Sequence, residues 1–389
     1  MNKRTFAAFA TTATVAALAV SACSPTPGAT PAASAKVCVA TSSAHTDPAT
    51  DPVARALADA ANNASITYQA GSGEAAPASL VASGCTLIVG TDSTTASSIS
   101  EAARANPKVR FALVGASFTD AKGNPTSLKN GSVINVRASE AAYLASAGMT
   151  TTGTLAVIGG SRDNVTASQM DAFAEGVDAY NLAKGTSIAV LGWNNAAKDG
   201  TFVDSAENVE ATAANFIAQG ADIILPLAGE NNAGAARAVT AAGNPMVRLI
   251  WSGLTKADLK GLTRDEAVSA ESPMSGQAGP QMVEQVDTQS FSDSFSYIQI
   301  TDAVRSSIGA PVLTGIVLDY SAAMDTLISD ATAGAPASTV PVSLVSGGVI
   351  LTGFGAYTPM LSSDLKLGLS DMAGQIETGG MVISTPFDV

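Results

Sequence analysis

Short apolar runs alternate with alanine-rich segments of helical spacing along most of this chain. The runs are rich in Val, Ile and Leu, as expected for strands that are buried on both faces of a sheet. The predicted strands are 37–40, 86–90, 110–114, 154–158, 187–191, 222–227 and 246–251. The predicted helices are 52–62, 94–105, 138–149, 166–181, 206–219 and 232–242. Strands and helices in regular alternation indicate an α/β protein built on parallel sheets.

The C-terminal third departs from this alternation. Its pattern predicts strands at 294–300, 341–345, 348–352 and 380–384, with helices at 301–308 and 318–332. The total exceeds the number of strands that one simple doubly wound sheet usually holds. We therefore predict two α/β lobes, with the C-terminal segment crossing back between them.

The first residues have the pattern of an export signal. Lys3 and Arg4 precede an apolar stretch that ends in the tetrapeptide Val-Ser-Ala-Cys at 20–23. That tetrapeptide resembles the lipobox of bacterial lipoproteins, in which the cysteine is lipidated and becomes the first residue of the mature chain. The apolar stretch is short and rich in Ala and Thr, which makes it a weak permanent membrane span. We predict a lipoprotein signal peptide at 1–23 with lipidation at Cys23; an ordinary cleaved signal peptide is the alternative.

The segment after Cys23 predicts an extended tether. Residues 24–35 are rich in proline and small residues and carry no charge, so they bury too little surface to offset their ordering entropy. Such a spacer would hold a folded body off the membrane. Lipobox cysteines usually carry more than one lipid chain, which gives stable anchoring. The expected location is therefore the extracytoplasmic face of a bacterial cell membrane, with the protein attached through its lipid.

Composition and charge exclude several classes of partner. Hydrophobic residues make up 46% of the chain and charged residues 14%, which is typical of a globular protein. The formal net charge is −13, and removal of Lys3 and Arg4 with the signal would take it to −15. This excess of carboxylates argues against nucleic-acid binding and against electrostatic adhesion to an anionic membrane. A small neutral solute remains compatible with it.

Two cysteines lie outside the signal. Cys38 and Cys85 each stand near the start of a predicted strand, so neighbouring parallel strands would bring the two thiols to the same end of the sheet. An exported protein meets oxidising conditions, which favours a disulfide. Two buried free thiols are the alternative.

Ligands of doubly wound sheets collect at the carboxyl ends of the strands. The loops predicted there are 41–51, 90–94, 115–120, 159–164, 192–204, 228–232 and 251–255. They are rich in small hydrogen-bonding residues, and two of them hold tryptophans. This mixture suits a polar planar or sugar-like solute, although ordinary turns favour the same small residues. The ligand-binding residues predicted from these loops are His45, Asp47, Asp51, Asp92, Trp193, Phe202, Gly229 and Trp251.

Motifs for catalysis, metals and cofactors are missing from the sequence. His45 is the single histidine, and no HExxH, CxxC or clustered Cys/His spacing predicts a zinc site. Neither the nucleophile elbow of serine hydrolases nor the glycine-rich phosphate loops occur. We predict no catalytic residue, no metal and no cofactor, and therefore no enzyme.

Five segments, in order along the chain, resemble the basic membrane lipoprotein family of solute-binding proteins, which serve bacterial ABC importers, many of them for nucleosides. The segments are Asn-Pro-Lys-Val-Arg-Phe-Ala at 106–112, Glu-Ala-Ala-Tyr-Leu-Ala at 140–145, Val-Ile-Gly-Gly at 157–160 with Phe-Ala-Glu-Gly-Val at 173–177, Gln-Gly-Ala-Asp-Ile-Ile at 219–224 with Ala-Gly at 228–229, and Gly-Gly-Val at 347–349.

The resemblance implies a type I periplasmic-binding-protein fold. This fold has two doubly wound parallel-sheet lobes, a hinge of three crossovers and a ligand in the cleft. We assign 36–150 plus 290–335 to the N-terminal lobe and 151–289 plus 336–389 to the C-terminal lobe.

The ligand positions depart from the family pattern. The first loop lacks the family's Phe-Asn pair, although Asp47 or Asp51 stands in for its acid. The family's Val-Asp-x-Asp loop is Ile-Trp-Ser-Gly at 250–253, and Gln299 replaces the lysine of its Ser-x-x-Lys. Since a carboxylate and a lysine hold the ribose in the family, we expect a neutral polar solute, such as a modified or different nucleoside. Trp251 would stack on it and Gln299 would hydrogen-bond it.

These observations favour a lipid-anchored solute-binding protein that delivers its solute to an ABC permease by lobe closure. A ligand sensor and a binding-inactive surface lipoprotein on the same fold are the alternatives, since fold alone does not separate them. A surface hydrolase is a further alternative, and it would have to use His45 as its catalytic histidine, because the chain has no other histidine.

Overall fold

A computed structural model describes residues 35–41, 51–145, 150–261 and 298–388. The chain divides into two compact units, Met1–Ser34 and Ala35–Val389, and all described residues lie in the second. The predicted signal peptide with Cys23, the predicted tether up to Ser34, and the predicted ligand residues His45 and Asp47 lie outside the described residues.

One six-stranded sheet is built mainly from the first part of the chain, and its strand order is β17-β7-β4-β3-β1-β2. All neighbouring strands in it are parallel. Its strands are β1 (Lys36–Thr41), β2 (Thr67–Ser72), β3 (Leu87–Gly90), β4 (Arg110–Val114), β7 (Gly131–Val136) and β17 (Thr339–Val342). The helices of this part are α1 (Pro52–Asn63), α2 (Ala76–Ala82) and α3 (Ala96–Ala105). We call this sheet and the helices packed on it lobe 1.

The second six-stranded sheet has the order β18-β16-β13-β12-β8-β9. It is parallel except for β18, which pairs antiparallel with β16 at one edge. Its strands are β8 (Thr154–Gly159), β9 (Ala189–Leu191), β12 (Ile223–Leu227), β13 (Arg248–Leu254), β16 (Val312–Leu318) and β18 (Val349–Leu351). Its helices are α5 (Asn164–Lys184), α6 (Ala206–Ala218), α7 (Asn232–Ala242) and α8 (Asp302–Ile308). We call this sheet with its helices lobe 2.

Three two-stranded ribbons and three further helices complete the strands and α-helices of the described residues. Short antiparallel ribbons pair β5 (Phe118–Thr119) with β6 (Pro125–Thr126), β10 (Trp193–Asn194) with β11 (Asp199–Gly200), and β14 (Leu259–Gly261) with β15 (Ile298–Ile300). The remaining helices are α4 (Ser139–Ala145), α9 (Ser321–Ala333) and α10 (Ser363–Glu377).

The chain passes between the two sheets three times within the described residues. The first crossover runs from β7 through α4 to β8, the second from β16 to α9 and β17, and the third from β17 to β18. Helix α9 packs on α1 of lobe 1.

The lobe boundaries differ from those predicted in the C-terminal third. Residues 298–318 belong to lobe 2, because β16 pairs with β13 and β15 packs on the same lobe. Residues 339–342 belong to lobe 1, because β17 extends its sheet beside β7. The segment predicted as a strand at 380–384 is not a strand.

The sequence pattern explains the local structure well around α1. Asp51 caps this helix, since one of its carboxylate oxygens accepts from the N–H groups of Val53 and Ala54 at 2.8 and 2.9 Å. Pro52 occupies the first helical position, where no N–H is needed. Buried Val53, Ala54 and Leu57 then face the core.

Cys38 and Cys85 form a disulfide in lobe 1, with their Cα atoms 6.0 Å apart. Both residues are buried in a cluster of apolar side chains between the sheet and the helices α2 and α3. Of the two states that the sequence left open, the structure contains the bridged one.

Candidate ligand-binding site

A cavity of about 230 Å³ lies between the lobes at the carboxyl ends of strands from both sheets. Lobe 1 contributes Thr91–Ser93 after β3 and Val114–Gly115 at the end of β4. Lobe 2 contributes residues from the start of α5, Leu227, Gly229 and Ser252. Tyr320, at the second crossover, forms part of the wall. We call this space the cleft cavity.

The cleft cavity continues into a wider opening of about 630 Å³. The two spaces share Asp92, Asp163 and Thr166, and the opening extends along Ser161 and Asn231 of lobe 2. We call this wider space the cleft mouth. A solute larger than the cleft cavity would therefore extend toward the mouth.

Asp92 presents a carboxylate from lobe 1. Its Oδ1 accepts from the N–H and hydroxyl of Thr94 at 2.9 and 2.6 Å and from the N–H of Thr95 at 3.2 Å. These bonds start a 3₁₀ turn at 93–95 and fix the carboxylate at the edge of the sheet. Its Oδ2 takes a single long bond of 3.5 Å from Thr91, which leaves acceptor capacity for a solute.

Asp163 presents a carboxylate from lobe 2. It caps α5, where its Oδ1 accepts from the N–H of Thr166 at 2.8 Å and its Oδ2 from the Thr166 hydroxyl at 3.2 Å. Burial raises the pKa of Asp163, the bonds from Thr166 lower it, and the negative charge of Asp92 raises it. The charge of Asp92 on lobe 1 therefore acts on Asp163 of lobe 2 across the cleft.

Tyr320 adds a hydroxyl group to the wall. The residue is 7% exposed, and among the described residues none hydrogen-bonds its hydroxyl. Burial raises its pKa, and the charges of Asp51 and Asp163 raise it further, so the phenol stays protonated. The protonated hydroxyl can donate one hydrogen bond and accept others from a solute in the cavity.

Two further polar side chains are held in place at the cavity. Gln169 donates from Nε2 to the carbonyl of Val165 at 3.1 Å, which turns the amide within reach of the cavity. Ser252 accepts from Nδ2 of Asn232 at 3.0 Å, and Oδ1 of Asn232 accepts from the N–H of Ala228 at 2.8 Å. Asn232 thereby links the start of α7 to the ends of two strands.

The electrostatic character of the cleft cavity follows from these residues. Among the described residues that line it, Asp92 and Asp163 carry charge and none is a Lys or Arg. Within the same part of the chain, no group of three or more His, Cys, Asp or Glu side chains is placed to hold a metal ion. The wall therefore combines two carboxylates with hydroxyl and amide groups that both donate and accept hydrogen bonds, and its charge disfavours anions.

The family model of PnrA-like ABC transporter substrate-binding proteins (Bmp) matches residues 55–252, just over half of the chain. The chain belongs to this family. The family resemblance predicted from the sequence is thereby confirmed. The family consists of extracytoplasmic solute-binding components of ABC transporters and is not an enzyme class. No curated protein matches the chain.

Solved structures confirm the fold. A solute-binding protein of an ABC transporter system from Aeropyrum pernix K1 is 15% identical, with a TM-score of 0.60 over 91% of this chain and 94% of that chain. A transcriptional activator of the comK gene from Bacillus halodurans is 12% identical, with a TM-score of 0.57 over 89% and 99%. A Caulobacter myo-inositol-binding protein is 12% identical, with a TM-score of 0.52 over 88% and 98%. At such identities the likeness establishes the type I periplasmic-binding-protein fold and no ligand.

Three of the predicted site residues lie at or beside the cleft cavity. Asp92 and Gly229 line it. Asp51 caps α1 and acts on Tyr320 through its charge.

Four other predicted residues do not line the cavity. Nε1 of Trp193 donates to Asp171 at 2.9 Å, which holds the ring in the core against Phe387. Trp251 faces a separate cavity of about 800 Å³ between α7 and α8. The ring of Phe202 lies under the guanidinium group of Arg162, 4.9 Å from its centroid.

Gln299 lies on β15, 5% exposed, with its Oε1 atom beside Gly355. Further residues line the cavity without having been among the predicted site residues, and they include Asp163, Thr166, Gln169, Ser252 and Tyr320. Asp163 and Ser252 do stand in loops that were predicted to hold the ligand, 159–164 and 251–255. Asp163 lies within the predicted loop 159–164, three residues before the predicted helix at 166–181, and this helix-cap position is the signal that would have found it.

Within the described residues, no helix has both the length and the apolar character needed to cross a membrane.

Proposed function

We propose that this PnrA-like protein captures a small, uncharged, hydroxyl-rich solute in the cleft cavity and hands it to an ABC permease. The observation that carries the proposal is the pair of carboxylates from opposite lobes, Asp92 and Asp163, which line the same cavity as the hydroxyl-bearing side chain of Tyr320. Capture needs no covalent chemistry, only closure of the lobes around the solute.

The hydrogen bonds of the carboxylates favour a neutral solute. Asp51, Asp92 and Asp163 each accept from N–H groups at the start of a helix or 3₁₀ turn, and these donors partly offset their charge. The remaining lone pairs accept best from hydroxyl or amine hydrogens. Among the described residues that line the cavity, the two charged groups that a phosphate or carboxylate on the solute would meet are both negative.

The size of the site supports a small solute. Drug-sized ligands fill pockets of about 300–1,000 Å³, and the cleft cavity lies below this range. A nucleoside remains our first candidate, with its ribose hydroxyls at Asp92 and Asp163 and its base toward the cleft mouth. A free sugar or cyclitol would occupy the cavity alone.

Isothermal titration of the protein tests this proposal. The panel contains nucleosides, their free sugars, myo-inositol and nucleoside 5′-monophosphates. We expect a neutral polyol to bind, the monophosphate to bind at least tenfold more weakly, and Asp163→Asn to weaken binding at least tenfold. The matched control is Asp120→Asn, since Asp120 is a half-buried turn-capping aspartate of lobe 1 that does not line the cleft cavity.

Three results would reject the proposal: no heat from any neutral member of the panel, tightest binding by an anion, or equal effects of Asp163→Asn and Asp120→Asn. Solute binding without any effect of gene deletion on uptake of that solute would favour a sensor over delivery to a permease. Absence of binding across the panel would favour a binding-inactive surface protein.

We also propose that the protein is anchored through lipid at Cys23. The support is the sequence at 20–23 together with the extracytoplasmic role of the family. Fractionation of cells that express the full chain should find the mature protein in the membrane fraction, and mass spectrometry should find lipid on an N-terminal Cys23. Cys23→Ser should release the protein from that fraction. Wild-type protein free of lipid would refute the anchor and leave the cleft proposal intact.

A further inference from the structure

Gly115 of lobe 1 and Val165 of lobe 2 touch across the cleft cavity. Gly115 follows β4, with φ at +61°, and Val165 lies in the first turn of α5. A Cβ atom placed on Gly115 would lie 2.3 Å from Cγ2 of Val165 and 3.8 Å from its Cβ. The first distance is far below van der Waals contact, so only a glycine fits at this point.

Both residues stand on firmly held backbone. The N–H of Gly115 donates to the carbonyl of Ile134 at 2.9 Å and so continues the pairing of β4 with β7. Val165 lies between Asp163 and Thr166, whose mutual hydrogen bonds fix the start of α5. Because both backbone segments are held by these hydrogen bonds, we expect a larger group at Gly115 to be accommodated mainly by moving the lobes apart.

We propose that Gly115 and Val165 form the stop that sets how closely the two lobes approach, and hence the width of the cleft cavity that both residues line. The contact itself is independent of any solute, while its role in solute selection rests on the proposed function.

A pair of introduced cysteines tests whether the contact forms in solution. The 3.8 Å between the Cβ positions matches the mean separation in disulfides, about 3.8 Å. In the full chain carrying Cys23→Ser, the pair Gly115→Cys/Val165→Cys should cross-link under mild oxidation, as seen by mass spectrometry of the digested protein. The native cysteines Cys38 and Cys85 are already bridged.

The control pair is Gly123→Cys/Val165→Cys. Gly123 also has a positive φ, +85°, and nothing lies within 4 Å of its Cβ position. We expect no cross-link in this pair. An uncross-linked Gly115→Cys/Val165→Cys protein, or equal cross-linking in both pairs, would overturn the proposal.

Small-angle scattering of alanine variants tests whether the contact is a stop. Gly115→Ala should wedge the lobes apart and increase the radius of gyration, and Val165→Ala in the same chain should restore the wild-type value. Gly123→Ala carries a similar backbone strain without the contact and should scatter like wild type. An unchanged radius for Gly115→Ala, or no rescue by Val165→Ala, would refute the stop.

The stop and the proposed function can be tested separately, because neither the cross-linking experiment nor the scattering experiment needs a bound solute. If no panel member binds and the cross-link and rescue are still observed, the proposed function fails and the stop stands. If solutes bind and the cross-link is absent, the stop fails and the function stands. For a protein that binds, Val165→Ala should shift the affinity ratio of adenosine to D-ribose toward adenosine, and an unchanged ratio would remove the role in selection.

Discussion

The carboxylate of Glu140 accepts a hydrogen bond of 2.9 Å from the backbone N–H of Leu344. Glu140 stands on α4 in the first crossover and Leu344 lies in the third, so one side chain joins two of the connections between the lobes. Its other oxygen lies 2.7 Å from Nε of Arg137, whose Nη2 donates to the carbonyl of Ile383. The C-terminal segment is thereby tied to the same point.

Glu140→Ala should destabilise the protein. Glu140 is 2% exposed, so its removal leaves the N–H of Leu344 without an acceptor in a buried place. Loss of such a partner costs about 1–3 kcal/mol. Urea denaturation followed by circular dichroism measures the change. Glu101→Ala, at an exposed position of α3, is the control and should stay within about 0.5 kcal/mol of wild type.

The pH dependence of stability should carry a contribution from Glu140. Burial raises its pKa above the ordinary 4.5, against the lowering effect of Leu344 and Arg137. A raised pKa means that the folded state holds the proton more tightly than the unfolded chain. The contribution is therefore fully present below pH 4.5 and is lost as the pH rises through the folded-state value.

Glu140→Gln should remove this slope, since glutamine keeps an acceptor for Leu344 and does not titrate. The free energy of unfolding of wild type minus that of the variant, measured in urea between pH 4 and pH 7, should fall as the pH rises. A difference that is flat or rises with pH would contradict the assignment. Asp163, whose pKa burial also raises, contributes with the same sign to both proteins and cancels.

Helices with clear periodicity and strands with apolar runs could be predicted from the sequence, and α7 has its predicted bounds of 232–242. The polar edge strand β2 and the half-exposed β7 lacked such runs. Strand β16 was also not predicted. It contains Thr314 and Gly315, and the hydrogen bonds that join these residues to Thr352 exist only in the folded protein. Helix α10 was not predicted either, because its internal glycines lower the helix propensity of the segment.

The candidate site was harder to predict because it depends on long-range contacts. Tyr320 reaches the cleft cavity only through the second crossover, which the sequence placed elsewhere. Trp193 follows a strand end, as predicted, but its partner Asp171 on α5 turns it inward. Asp92 could be predicted, because a loop after a strand end lies at the same edge whichever helix follows.

Reduction of the Cys38–Cys85 bridge should destabilise lobe 1. The two cysteines are 47 residues apart, and a loop of that length corresponds to about 4 kcal/mol of chain entropy in the unfolded state. Urea denaturation with and without dithiothreitol measures the effect in the Cys23→Ser chain. Thiol labelling of the unreduced, denatured chain should find no reactive cysteine, and labelling at Cys38 or Cys85 there would exclude the bridge.

Lys198→Met should destabilise lobe 2 more than the loss of an ordinary surface charge. The Lys198 ammonium lies 2.7 Å from Oδ1 of Asp171, which is 0% exposed, and 3.0 Å from Glu175. Without the ammonium, the Asp171 carboxylate keeps only the Trp193 N–H as a donor among its described partners. Removing one partner of a buried pair costs about 3–5 kcal/mol, and the partial exposure of Lys198 places the expected loss at the lower end, about 3 kcal/mol.

The control for this change is Lys122→Met, since Lys122 is exposed and its side chain has no ion pair within the described residues. Thermal and urea denaturation of the two variants should differ, while their secondary structure stays the same. The double variant Lys198→Met/Asp171→Asn should recover part of the loss, because it no longer leaves a buried charge uncompensated. Equal stability of Lys198→Met and Lys122→Met would show that the ammonium does not compensate Asp171. A double variant that is less stable than Lys198→Met would show the same.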